Sequence, residues 1–352
     1  MNPLSIIPHQ KLGAPQNQTS QQTDQPWQQA LASTIRTPAA LLSALELTPE
    51  QLPALFDGGA KFPLRVPHSF VARMKKGRPD DPLLRQVLPL DVENDLAHGY
   101  LTDPVGDLHA SEAPGLLHKY HGRALLITTA ACAIHCRYCF RRHFPYQQQN
   151  AAANEWEEAL RYLEQESTIT EIILSGGDPL ALSDQRLAVL IDRLAQIPHL
   201  RRLRIHTRLP IVIPARVTDS LITLLSGTRL NPVIVLHTNH PNEIDTTVQR
   251  AVKRLQTIPG ITLLNQSVLL KGVNDESETL ITLSETLFAS GILPYYLHLL
   301  DKAQGSAHFN VPVEKAVKLL AEIHAQLPGY LVPRLAQEIA GARGKTLITG
   351  KQ

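Results

Sequence analysis

The 352-residue sequence predicts an α/β fold organised on a parallel sheet. Two observations carry that expectation. From about Ala124, six short β-rich runs alternate with longer amphipathic helical patterns, and serial βα units lay their strands parallel. Hydrophobic residues make up 43% of the chain, enough for one large core or for one large and one small domain. Such a sheet is an open doubly wound one or a full or partial barrel. In each case ligands gather at the carboxyl ends of the strands.

Residues 1–25 are rich in Gln, Asn, Pro and Ser and read as a disordered tail. Residues 26–110 read as an N-terminal helical subdomain, because apolar residues recur at helical spacing from Trp27 to about Leu47 and Pro then punctuates short helices and turns. Residues 111–310 carry the sheet. Its expected strands are Ala124–Thr129, Glu171–Leu174, Leu203–His206, Val233–Leu236, Leu263–Val268 and Tyr295–Leu299. Helical patterns fall between them near Glu155–Glu166, Ser183–Gln196, Asp219–Leu225, Asn242–Gln256 and Glu276–Ala289. Residues 311–352 hold a further helix near Val313–Gln326 and a tail containing Gly and Lys. No repeat at a solenoid period is present.

Composition narrows the function. Lys and Arg number 34 against 32 Asp and Glu, a net of +2, so no bulk field exists to hold nucleic acid or an anionic membrane. A small-molecule substrate is expected instead. No segment reaches 18 continuous apolar residues and no basic leader precedes an apolar run, which points to the cytoplasm. All three cysteines fall within eight residues, leaving none elsewhere to pair with them. In a reducing compartment such a group is a metal site sooner than a disulfide framework.

The segment Thr128-Thr129-Ala130-Ala131-Cys132-Ala133-Ile134-His135-Cys136-Arg137-Tyr138-Cys139-Phe140 follows the first strand and puts three thiolates on one loop. Zinc would want a fourth ligand, for which His135 and His143 stand near. An iron–sulfur cluster held by three cysteines leaves one iron free for another ligand. C-x3-C-x2-C with aromatic Tyr138 before the last Cys resembles the signature of the radical S-adenosylmethionine superfamily. That resemblance implies a four-iron four-sulfur (4Fe-4S) cluster on Cys132, Cys136 and Cys139, S-adenosylmethionine on the unique iron, and a 5′-deoxyadenosyl radical. After the next strand come Ser175-Gly176-Gly177-Asp178-Pro179, whose glycines permit close backbone approach. In the superfamily this turn contacts the methionine amino group; taken alone it is also an ordinary strand-ending turn.

Further segments make the resemblance more specific. Cys139-Phe140-Arg141-Arg142-His143-Phe144, Leu174-Ser175-Gly176-Gly177-Asp178-Pro179-Leu180, His237-Thr238-Asn239-His240-Pro241-Asn242-Glu243 and Asn265-Gln266-Ser267-Val268-Leu269-Leu270-Lys271-Gly272 together resemble lysine 2,3-aminomutases, over roughly Phe62 to Thr346. The family implies a partial (β/α)6 TIM-like barrel and a second cofactor, pyridoxal 5'-phosphate, held as a Schiff base. The matching lysine is Lys345, in Gly341-Ala342-Arg343-Gly344-Lys345-Thr346, and the phosphate-binding stretch maps to Lys119, Tyr120 and Arg123. Ser175, Gly176, Gly177, Asp178 and Gln266 fall at the family's other cofactor positions. Arg141 matches the residue that pairs with the lysine carboxylate and Asp301 one that receives its distant ammonium. A second family aspartate falls at Glu338, a longer acid.

The family contains a shorter branch that makes (R)-β-lysine for elongation factor P, and the Val332-Pro333-Arg334-Leu335 stretch resembles it. The implied reaction converts L-lysine to (R)-β-lysine, with elongation factor P and its lysyl-transferring ligase as functional partners. The sequence leaves a homo-oligomer open. Three further readings stay beside this one. A 2,3-aminomutase acting on glutamate or arginine would use the same cofactors, although Asp301 would repel glutamate. An iron–sulfur electron-transfer module would leave Lys345 and Arg141 unexplained. A nucleic-acid-modifying radical enzyme is disfavoured by the near-neutral charge.

Overall fold

The computed structural model describes residues 27–55, 62–149 and 156–349; the tail expected at 1–25 lies outside them. One ten-stranded sheet runs in chain order through β1 (Ser111–Ala113), β2 (Leu116–Tyr120), β3 (Arg123–Thr129), β4 (Glu171–Gly176), β5 (Arg202–Thr207), β6 (Asn231–His237), β7 (Thr262–Val268), β8 (Leu293–His298), β9 (Arg334–Gln337) and β10 (Thr346–Leu347). Strands β3 to β9 are parallel, and antiparallel pairs flank them at both ends. The α/β class expected from the sequence is therefore the class observed.

Four short helices, α1 (Trp27–Ala32), α2 (Pro38–Ala44), α3 (His68–Val71) and α4 (Pro82–Arg85), precede the sheet. The helices α5 (Glu157–Gln165), α6 (Asp184–Gln196), α7 (Leu209–Val212), α8 (Asp219–Gly227), α9 (Thr246–Leu255), α10 (Ser277–Ala289) and α11 (Val313–Gln326) connect its strands. Their starts are chemically marked: Ser183 caps α6, Thr218 caps α8 and Asp245 caps α9, each accepting from backbone N–H groups of the first turn. None is long and apolar enough to cross a membrane.

Burial alternates along the strands in a way that defines an interior. On β5, Leu203, Ile205 and Thr207 are buried, whereas Arg204 and His206 are only partly so. The same alternation leaves Leu264, Gln266 and Val268 of β7 and Tyr296 and His298 of β8 partly exposed. The fully buried face lies under the helices; the other face lines an accessible lumen rich in polar side chains.

The sheet curls around that lumen. Strands β2 and β9 stand seven places apart in the sheet, roughly 34 Å on a flat sheet at the usual strand spacing. Yet the Tyr120 hydroxyl of β2 donates to Glu338, the residue after β9. No ladder among the described residues joins β1 to β10, so the barrel is incomplete.

One apolar core unites Trp27, Leu41, Phe70 and Leu83 with Leu126, Leu174, Leu203 and Leu236, so the N-terminal helices pack on the barrel itself. The six expected parallel strands all form. The segment after α11 does more than the expected tail: β9 adds a seventh parallel strand and β10 pairs back on it.

Candidate active site

The cysteine loop leaves the carboxyl end of β3 and lies on the Gly-Gly turn that ends β4. Gly177 N donates to Thr129 O and Asp178 N to Ala131 O, both at 2.8 Å. This close approach demands glycine. A Cβ on Gly177 would lie 2.4 Å from Ala131 O, and one on Gly176, whose φ is +121°, would lie 2.7 Å from Thr129 O. The Gly176 carbonyl accepts from the Tyr146 hydroxyl. Asp178 is buried with both oxygens occupied: Oδ1 accepts from Leu180 N and Thr207 Oγ1, Oδ2 from Arg208 N and Leu209 N. Its carboxylate thus organises the β5–α7 junction beneath the loop.

Cys132, Cys136 and Cys139 are free, partly exposed thiols. Burial of the sulfurs, reinforced by the neighbouring thiols, raises Cys132 well above its ordinary pKa and Cys139 to about 11. They are therefore neighbours, yet among the described residues no three His, Cys, Asp or Glu side chains converge as one metal ion requires. His135 and His143, the candidates for completing a zinc site, turn to Pro63 O and Gln304 O. A multi-iron cluster suits this donor set, since each thiolate binds a separate iron. Loading would release the protons these raised pKa values retain.

The N-terminal segment clamps the loop. Arg137 Nε and Nη2 grip the fully buried Glu93 carboxylate, which also takes Arg142 Nη2 at 2.7 Å. On the other side, Arg208 Nη1 donates to Cys136 Sγ at 2.7 Å and to Tyr138 Oη at 2.8 Å. Its Nη2 binds Gln86 Oε1 and Glu243 Oε2. Tyr138 Oη lies 2.8 Å from His237 Nε2, and burial followed by the Arg208 charge lowers His237 to about 3, leaving that ring neutral.

At the lumen, opposite charges alternate in an unbroken line. Arg141 Nε donates to Asp107 Oδ2 at 2.7 Å, Asp107 Oδ1 meets Lys119 Nζ at 2.6 Å, Lys119 lies 3.6 Å from Glu338 Oε1, and Glu338 Oε2 accepts from Lys345 Nζ at 2.9 Å. Arg141 also reaches Ser175 Oγ at 3.1 Å. Lys119 additionally donates to Val105 O. Arg123 stacks over the Tyr120 ring and pairs with no carboxylate among the described residues. Of the sequence-predicted residues, Lys119, Tyr120, Glu338 and Lys345 meet directly, although up to 226 positions separate them. Gln266 lies on the lumen face of β7, in register with His237 and Tyr296.

Asp301 follows β8 and makes no side-chain hydrogen bond among the described residues. Burial raises its pKa to about 7, with Lys345 pulling the other way. Nearby, burial holds His206 and His298 well below their ordinary range, with Arg204 and Lys345 adding to it, so both rings are neutral. Among the described residues, the buried His206 Nε2 has no hydrogen-bond partner. That nitrogen, a guanidinium at Arg123 with no carboxylate partner among the described residues, and an amine at Lys345 around one lumen fit a phosphorylated aldehyde cofactor.

Asp107, Glu93 and Arg208 escaped the sequence reading. Arg208 carried a faint signal, standing just beyond an expected strand at its carboxyl end; Asp107 and Glu93 carried none.

The Radical SAM superfamily model matches residues 126–283, which span the cysteine loop and the strands to β7. The chain is 49% identical over 324 residues to an L-lysine 2,3-aminomutase of Haemophilus influenzae, covering 92% of this chain and 96% of that protein. It is likewise 49% identical over 322 residues to an L-lysine 2,3-aminomutase of Escherichia coli, covering 91% and 93%. To the L-lysine 2,3-aminomutase of Clostridium subterminale it is 33% identical, covering 91% and 77%. With its cysteine loop, barrel and lumen as described, the chain belongs to the lysine 2,3-aminomutase family, isomerases of the radical SAM superfamily.

Proposed function

We propose that this protein converts L-lysine to (R)-β-lysine, using a 4Fe-4S cluster, S-adenosylmethionine and pyridoxal phosphate, and that the product serves elongation factor P through its lysyl-transferring ligase. One observation carries the reading: a guanidinium, a carboxylate with no side-chain hydrogen bond among the described residues, and an amine, at Arg141, Asp301 and Lys345, share one lumen beside the cysteine loop. The names of the relatives support lysine as substrate. The resemblance of the Val332-Pro333-Arg334-Leu335 stretch to the shorter branch supports the link to elongation factor P.

The cluster with S-adenosylmethionine supplies hydrogen abstraction at the non-acidic C3, which a base cannot perform, and pyridoxal phosphate a π system for nitrogen migration. Everything else falls to the chain. Cys132, Cys136 and Cys139 hold the cluster, and Ser175, Gly176 and Gly177 seat the loop that carries it. Arg141, oriented by Asp107, receives the α-carboxylate as a planar donor. Asp301 receives the side-chain ammonium. Lys345 carries the cofactor, and Glu338 Oε2, which accepts from Nζ, orients that amine. Arg123 and Tyr120 would hold the phosphate, with Lys119 adding charge.

The discriminating experiment offers L-lysine, L-arginine and L-glutamate separately to the anaerobic, cofactor-loaded protein and compares rates of β-amino acid formation. Preference for lysine supports the reading; preference for either of the others replaces the substrate while keeping the reaction class.

A further inference from the structure

Arg208 is the one cation that touches a cluster-ligand sulfur among the hydrogen bonds of the described residues, and its surroundings separate it from the structural arginines of this fold. Arg229 shows what the latter look like: its three nitrogens donate to the carbonyls of Ala195, Leu200 and Ile197 and tie a loop down. Arg208 instead spends Nη1 on Cys136 Sγ and the Tyr138 hydroxyl, and Nη2 on Gln86 and Glu243. The guanidinium is almost fully buried, and so is Glu243. The β5–α7 junction that carries Arg208 is itself fixed by Asp178.

We propose that Arg208 is a positioning residue that sets the reduction potential of the cluster by donating to Cys136, with Glu243 opposing it from the far side of the guanidinium. The inference rests on the radical SAM reading above. A cluster bound by three thiolates carries net negative charge, and uptake of one electron from an external low-potential reductant increases it. In a low-dielectric site, a fixed positive charge and an N–H donor to a ligand sulfur stabilise the more negative state. Arg208 therefore makes the cluster easier to reduce. Glu243, which binds Nη2 and not the sulfur, offsets part of that charge while holding the fork in place.

The test uses full-length protein reconstituted anaerobically with iron and sulfide, as wild type, Arg208→Gln, Arg208→Lys and Glu243→Gln. Bound iron is measured first. Each protein is then titrated with dithionite and viologen mediators while the reduced-cluster electron paramagnetic resonance signal is followed. At a fixed potential, Arg208→Gln should show about a tenfold lower ratio of reduced to oxidised cluster, equivalent to about 59 mV for one electron. Arg208→Lys should recover most of it, and Glu243→Gln should shift the ratio the other way. A merely structural arginine would give lost iron in both neutral variants, or shifts of one sign. The inference is overturned if Arg208→Gln titrates as wild type, if Arg208→Gln and Glu243→Gln move together, or if Arg208→Gln loses iron while Glu243→Gln titrates as wild type. A wild type that takes up no cluster overturns the underlying reading; a loaded wild type beside an unshifted Arg208→Gln overturns the inference alone.

Discussion

Lys345 Nζ donates to Glu338 Oε2 at 2.9 Å across the turn between β9 and β10, and Glu338 Oε1 accepts from Tyr120. Both oxygens of Glu338 are thus committed to cofactor-side residues. Asp301 is left as the lumen carboxylate for a substrate cation, and the longer acid at 338 serves the amine of its own chain.

Asp301→Asn should therefore raise KM for lysine by about 10- to 100-fold, as expected for loss of a charge-assisted hydrogen bond of about 1.5–3 kcal/mol. Steady-state kinetics check it. Glu338→Gln should instead weaken retention of the pyridoxal cofactor, read by absorbance after dialysis.

The pKa of Asp301 sets a pH dependence. Burial raises it to about 7 in the free protein, so below that pH the group is largely neutral and cannot pair with an ammonium. Deprotonation on the way up creates the partner. The kcat/KM for lysine should rise as pH increases through about 7, and Asp301→Asn should remove that limb from the profile.

Cysteine and lysine variants should separate the two cofactors. Cys136→Ala should lose cluster iron and the cleavage of S-adenosylmethionine. Lys345→Ala should keep the iron and lose the pyridoxal absorbance that the wild type acquires. Iron assay and visible spectra of the two proteins provide the check.

Gly177→Ala places a methyl 2.4 Å from a backbone oxygen of the cysteine loop. The loop must shift, at a cost of about 1–3 kcal/mol. Urea melts should show that loss, and reconstituted iron should fall with it, because the loop that moves carries the ligands.

Six parallel strands were legible because each run of β-formers precedes an amphipathic helix, a pattern that only a βα series explains. Strands β9 and β10 were not, being four and two residues long and too short to show alternation. At the site, the cysteines and the Gly-Gly turn were readable as local motifs, and the lumen residues only through the family resemblance. Their supports were not, since the chain joins them only on folding: Asp107 lies 34 positions from Arg141, Glu93 44 from Arg137, and Arg208 72 from Cys136. Nothing in a local window marks a carboxylate that meets its arginine through the barrel.

The most direct measurement is anaerobic incubation of reduced, cluster-loaded protein with S-adenosylmethionine, pyridoxal phosphate and L-lysine deuterated at C3, followed by chiral chromatography and mass spectrometry. The account predicts (R)-β-lysine together with deuterium in 5′-deoxyadenosine. Formation of 5′-deoxyadenosine with lysine recovered unchanged would contradict it.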